Sequence, residues 1–198
     1  MADTTSGTTS GPAAQKSIAV PLGAFAAGAV VALLLGVFAK VNDPTLDGTT
    51  TLGFDDVRDM KVALSTVIGV LAVGQVIGAL WIYGKLGIKA PSWLGMAHRL
   101  SGTVALLLAV FVGYHCIWAF GFQTGTTEHG YEVPLRGVVH EVAGCMVFGA
   151  AVIKVVAVRS KRAPGWFLPV AGGLLFSLLI VAVLTSAGWY LTEYGWPS

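Results

Sequence analysis

Residues 94–120 read LGMAHRLSGTVALLLAVFVGYHCIWAF, a largely apolar run whose basic residues are His98, Arg99 and His115. At ~1.5 Å of rise per residue such a run is longer than the hydrocarbon core of a bilayer, about 30 Å thick. The rest of the chain has the same character. Of its 198 residues 55% are hydrophobic and 11% charged, and mean hydropathy is +0.77, outside the range of soluble domains. The formal net charge of +2 comes with no basic run, which excludes nucleic acid as a partner.

Five segments are long and apolar enough to cross a membrane, at about 17–39, 60–84, 94–120, 136–158 and 166–191. Backbone amides in lipid must be satisfied within their own segment, and runs of this length are too long for barrel strands. The expected fold is therefore all-α, an integral membrane bundle of five transmembrane helices. A four-helix core is expected to carry the site, with the first helix peripheral. Two units are expected, a disordered cytoplasmic tail over 1–16 and a five-helix transmembrane domain over 17–198. The first apolar run is too long for a signal peptide and reads as an uncleaved helix.

Loop charges set the expected orientation. Lys85, Lys89, Arg159, Lys161 and Arg162 fall in the second and fourth loops. Asp43, Asp47, Asp55, Asp56 and Asp59 fall in or beside the first, and Glu128 and Glu132 in the third. The positive-inside rule then puts the N-terminus inside and the C-terminus outside a bacterial-type cell membrane. Trp81, Trp93 and Trp166 mark the inner interface, and Trp118, Trp189, Tyr190, Tyr194 and Trp196 the outer one.

Ionisable side chains inside a membrane are costly and point to a function. His115 lies six residues before Gly121, about 9 Å below the outer end of the third helix. His140 lies four residues after Arg136, about 6 Å below the outer end of the fourth. Consecutive antiparallel helices are expected to be neighbours, which would bring the two imidazoles to one depth on facing helices. That is the arrangement for bis-histidine ligation of haem iron. Gly113, Gly137 and Gly144 give a flat macrocycle clearance, and Arg136 stands one turn nearer the outer water, where propionates would emerge. Tyr114, Trp118 and Phe120 are expected either in the pocket wall or as interface anchors.

The remaining polar residues carry weaker signals. Cys116 and Cys145 belong to no CxxC or CxxCH pattern and read as small buried residues. His129 reads as a solvated loop residue, Lys154 as a snorkelling cation, and Glu141 as facing water near the outer surface. Gly74 and Gly78 form a GxxxG that permits close helix packing. His98 lies about 25 Å from His115 along the same helix, too far to share its haem.

MAHRLSG resembles the HRxSG segment of the cytochrome b anchor of succinate dehydrogenase, and HRLSG, HEVAG and YHC are similar to segments of cytochrome b561-type proteins. The resemblance covers the third and fourth helices. It implies a membrane b-type cytochrome in which His115 and His140 are axial ligands, and in which His98, Arg99 and Ser101 stand where that family has a quinone site near haem propionates. One haem b is expected, with a second and a quinone left open.

Together these observations predict an electron-transfer cytochrome, a redox subunit rather than a stand-alone enzyme. It would relay electrons between quinol or another membrane donor and an outer redox protein. Its expected partners are the lipid bilayer and that redox protein, with a homo-oligomer left open. The competing expectation is a non-redox assembly or transport protein whose histidines only pack helices.

Overall fold

The structure, a computed structural model, describes residues 17–123, 125 and 132–197. The tail over 1–16, Glu128 and His129 lie outside the described residues. Helices α1 (Ala19–Val41), α2 (Val57–Ile82), α3 (Leu94–Phe120) and α4 (Leu135–Arg159) are followed by α5 (Phe167–Val183). A π-helical turn, Leu184–Gly188, then joins α5 to α6 (Trp189–Tyr194), and the three pieces form one span over Phe167–Tyr194. All five spans are long and apolar enough to cross a bilayer, so the chain is a helical membrane bundle. Among the described residues there is no strand.

The helix ends follow local chemistry. Asp56 caps α2 by accepting the Asp59 amide at 2.8 Å. At the end of α3, Gly121 has φ +63°, the left-handed region that favours glycine. A Cβ there would stand 3.1 Å from Pro44 and 3.2 Å from the Ala39 carbonyl. Phe122 then donates its amide to that same carbonyl at 2.8 Å, seating the chain after α3 on the end of α1.

The neighbour order differs from chain order. Helix α1 packs on α4, α4 on α5, α5 on α2, and α2 on α3, with a lighter contact from α3 back to α1. The closest crossing is α1 on α4. A Cβ on Gly28 would lie 2.6 Å from the Gly149 carbonyl oxygen, so both residues must lack a side chain for the backbones to approach. Contrary to the sequence expectation, α3 and α4 are not packed side by side. They meet where the Phe148 ring reaches Gly113, and toward the acidic end a cavity lies between them. The loops carrying Asp43, Asp47, Asp55 and Glu132 define an acidic end of the bundle, and those carrying Lys85, Lys89, Arg159 and Arg162 a basic end.

Candidate functional site in the bundle cavity

The cavity lies between α2, α3, α4 and α5 toward the acidic end, closed on one side by Ala39 of α1, with a volume of ≈ 110 Å³. Ile68, Val112, Val147, Phe148 and Leu179 make its apolar wall, and Ser65, Cys116, His140, Glu141 and Ser186 supply the polar atoms. An apolar wall with a few convergent polar groups is the lining that small-molecule sites have.

His140 is the best-defined group in the wall. Its Nδ1 sits 2.9 Å from the Ala182 carbonyl oxygen. A carbonyl can only accept, so Nδ1 carries the hydrogen and the neutral ring keeps its lone pair on Nε2. Such a second partner is what orients an imidazole that ligates a metal. The Cys116 thiol is within reach of the His140 ring and of Lys61. Arg136, one turn earlier on α4, donates from Nη1 to the Thr185 carbonyl at 2.6 Å and stacks over Trp189 at 3.7 Å.

The π turn explains how α5 serves both side chains. Widening the helix to a π turn disturbs the i→i−4 ladder and leaves carbonyls for side-chain donors. The Ala182 oxygen, just before the turn, takes His140 and the Ser186 hydroxyl at 2.8 Å, and the Thr185 oxygen, inside it, takes Arg136. Sequence reasoning missed this device. Its only trace is the run of small residues Thr185–Gly188 within an otherwise bulky apolar segment.

His115 is not among the residues that line the cavity. It is 1% exposed, and both ring nitrogens are occupied: Nδ1 donates to the Phe111 carbonyl at 2.9 Å, and Nε2 accepts the Thr50 amide at 3.3 Å. Its lone pair is thus spent on the α1–α2 loop. Phe111 and Tyr114 pack against the ring at 4.5 and 5.1 Å. Tyr114 and Trp118 hold the same loop, donating to the carbonyls of Gly48 at 3.3 Å and Asp47 at 2.8 Å. The expected facing pair is therefore not assembled: on α3, Cys116 turns to the cavity, and His115, ~100° around the helix, turns to the loop.

The other candidate residues separate in the same way. Gly144 lines the cavity with nothing within 4 Å of a Cβ position, so the clearance expected there is present. Gly113 is filled instead, since a Cβ would stand 2.5 Å from the Phe148 ring. Gly137 faces Val133 and Pro134. Of the three aromatics, Phe120 reaches the mouth of the cavity, while Tyr114 and Trp118 belong to the loop clamp. Glu141 does not simply face water. It lines the cavity, its Oε1 accepting the Gln123 amide at 3.1 Å and its buried Oε2 having no partner.

His98, Arg99 and Ser101 lie toward the basic end, apart from this cavity. Gln75 of α2 donates from Nε2 to Ser101 Oγ at 2.7 Å and to the His98 carbonyl at 2.8 Å. Gly78 of the GxxxG gives the His98 ring its room, with Nδ1 3.2 Å from a Cβ position there. That nitrogen is buried without a partner, and Arg99 is exposed.

The match to a protein-family model runs over residues 19–198, all five spans included. The chain belongs to DUF6529, a family of unknown function. Nothing matches it among curated proteins or among solved structures.

Proposed function

We propose that this DUF6529 chain is a membrane electron-transfer cytochrome whose cavity would hold one non-covalent haem b, with His140 as the residue that would ligate its iron. The observation that carries the reading is the His140 imidazole, fixed by Ala182 on Nδ1 so that its Nε2 edge faces the apolar cavity, where the soft and displaceable Cys116 thiol is its neighbour. The open wall at Gly144 and the cationic mouth at Arg136 also suit a flat macrocycle with acidic substituents. His115 does not serve as the second ligand in this reading, because its lone pair is taken by Thr50.

When bound, haem supplies one-electron exchange at its iron. The chain's own residues orient the ligand, exclude water along the apolar wall and supply charge at the mouth. Electrons pass between quinol or another membrane donor and a redox protein at the acidic end. The loop charges support placing that end outside and the N-terminus inside a bacterial-type cell membrane.

A quinone at His98, Arg99 and Ser101 is the second reading for the basic end, favoured by the unpartnered His98 Nδ1. The non-redox alternative is favoured at one residue, His115, whose satisfied ring is what a packing histidine looks like.

Purification with adequate haem supply, followed by a pyridine haemochrome assay, tests the proposal. The expected result is one haem b per chain, a Soret band lost in His140→Ala and kept in His115→Ala. A colourless wild-type protein would leave the helix-packing account standing.

A further inference from the structure

A second pocket adjoins the cavity at the acidic end, sharing Cys116, His140, Glu141 and Ser186 with it, and forms a mouth lined by Arg58 and Lys61 from α2, Phe120 from α3, Arg136 from α4, Trp189 and Tyr190. Lys61 Nζ lies 3.8 Å from the centre of the Phe120 ring, and the Arg136 guanidinium 3.7 Å from that of Trp189. Aromatic faces thus position these two cations at the rim, and Lys61 also reaches the Cys116 thiol. Arg136 gives one N–H to Thr185 and has others to offer, and an ammonium has three. Three acids stand nearby, Glu141, Asp59 and Asp56, the last two both acting on Tyr190. Glu141 shares the mouth and is held on one oxygen by Gln123, and Asp59 accepts the Tyr190 hydroxyl. Two of these acids are thus engaged, and the low-dielectric cavity beside the rim strengthens the field of its three cations.

We infer that Arg58, Lys61 and Arg136 form a recognition site for the carboxylate head of an amphiphile whose apolar body occupies the cavity. The chemistry is charge-assisted hydrogen bonding at a rim, with burial of the hydrocarbon portion below it. Two sources offer that chemistry, the propionates of haem and the head of a fatty acid. The first source rests on the function proposed above, and the second does not. Sequence reading places only Arg136 here. Arg58 and Lys61 reach the mouth because α2 packs on α5 rather than on α4.

The test compares acids with their esters on detergent-solubilised protein stripped of ligand. Haem and haem dimethyl ester are titrated by the Soret band, and oleate and methyl oleate by tryptophan fluorescence. Wild type is expected to prefer an acid over its ester by about tenfold, the effect of one charge-assisted bond. In Arg58→Gln/Lys61→Gln the preference should fall to about twofold. Should that variant fail to fold, the wild-type preference is followed with salt and is expected to shrink between low and molar ionic strength. A preference seen with oleate alone, haem giving no band in either form, supports the mouth and removes the cytochrome reading. Equal binding of acid and ester in both pairs overturns the inference. So does a preference that persists unchanged in the double variant, or one in wild type that is insensitive to salt.

Discussion

The Tyr190 hydroxyl donates to Asp59 Oδ1 at 2.5 Å, tying the last helical turn of the chain to the first turn of α2. Asp59 is 7% exposed, and its own amide is capped by Asp56. The bond closes one side of the cavity mouth, where Tyr190 and Arg58 stand together.

Removing that tie should loosen the mouth. Tyr190→Phe is expected to lower the midpoint of thermal unfolding in detergent, and Asp59→Ala to lower it further because a first-turn acid is lost as well. Asp59→Asn, which keeps an accepting oxygen, should fall between wild type and Asp59→Ala. A Tyr190→Phe protein that melts with wild type would mean that the bond contributes nothing.

His115 and His140 should fail differently when truncated. His115→Ala deprives the Thr50 amide of its acceptor, an expected cost of about 1–3 kcal/mol, together with faster proteolysis of the 42–56 loop. His140→Ala should leave the loop protected and abolish haem binding. Limited proteolysis and the Soret band, measured on both variants, separate the two roles. Loss of colour in His115→Ala with an intact loop would reverse the assignment.

The crossing of α1 and α4 should be intolerant of any side chain. Gly149→Ala and Gly28→Ala are each expected to destabilise by about 1–3 kcal/mol, since the obstacle is backbone and cannot rotate away. Gly36→Ala is the internal control on the same helix, with Cys145 Sγ at 4.0 Å, and should be near neutral. Unfolding in mixed detergent micelles reads all three, and equal effects at Gly28 and Gly36 would contradict the crossing.

Gln75 and Gly102 should be coupled. Gln75→Leu removes the α2–α3 bonds to Ser101 and His98 and is expected to cost about 0.6–1.7 kcal/mol. Gly102→Ala puts a methyl 2.8 Å from Gln75 Oε1 and should destabilise in wild type but less in Gln75→Ala, where that obstacle is gone. Additive effects in the double-mutant cycle would show that the two positions do not touch.

Span number, span length and the division into acidic and basic ends follow from the sequence alone. Apolarity over some twenty residues and charge in a short loop are local properties, and lipid admits only one backbone solution for them. The depths of His115 and His140 were legible for the same reason, because rise per residue is constant. Direction around a helix was not. Whether His115 or Cys116 meets the cavity depends on which helices are neighbours, and the close Gly28–Gly149 crossing puts α1 beside α4 and leaves α3 and α4 apart. The pairing of Ala182 and Thr185, at the π turn, with His140 and Arg136 is likewise a contact between α5 and α4. Depth is a sum along one chain segment. Facing is a relation between segments distant in sequence, and only the tertiary structure decided it.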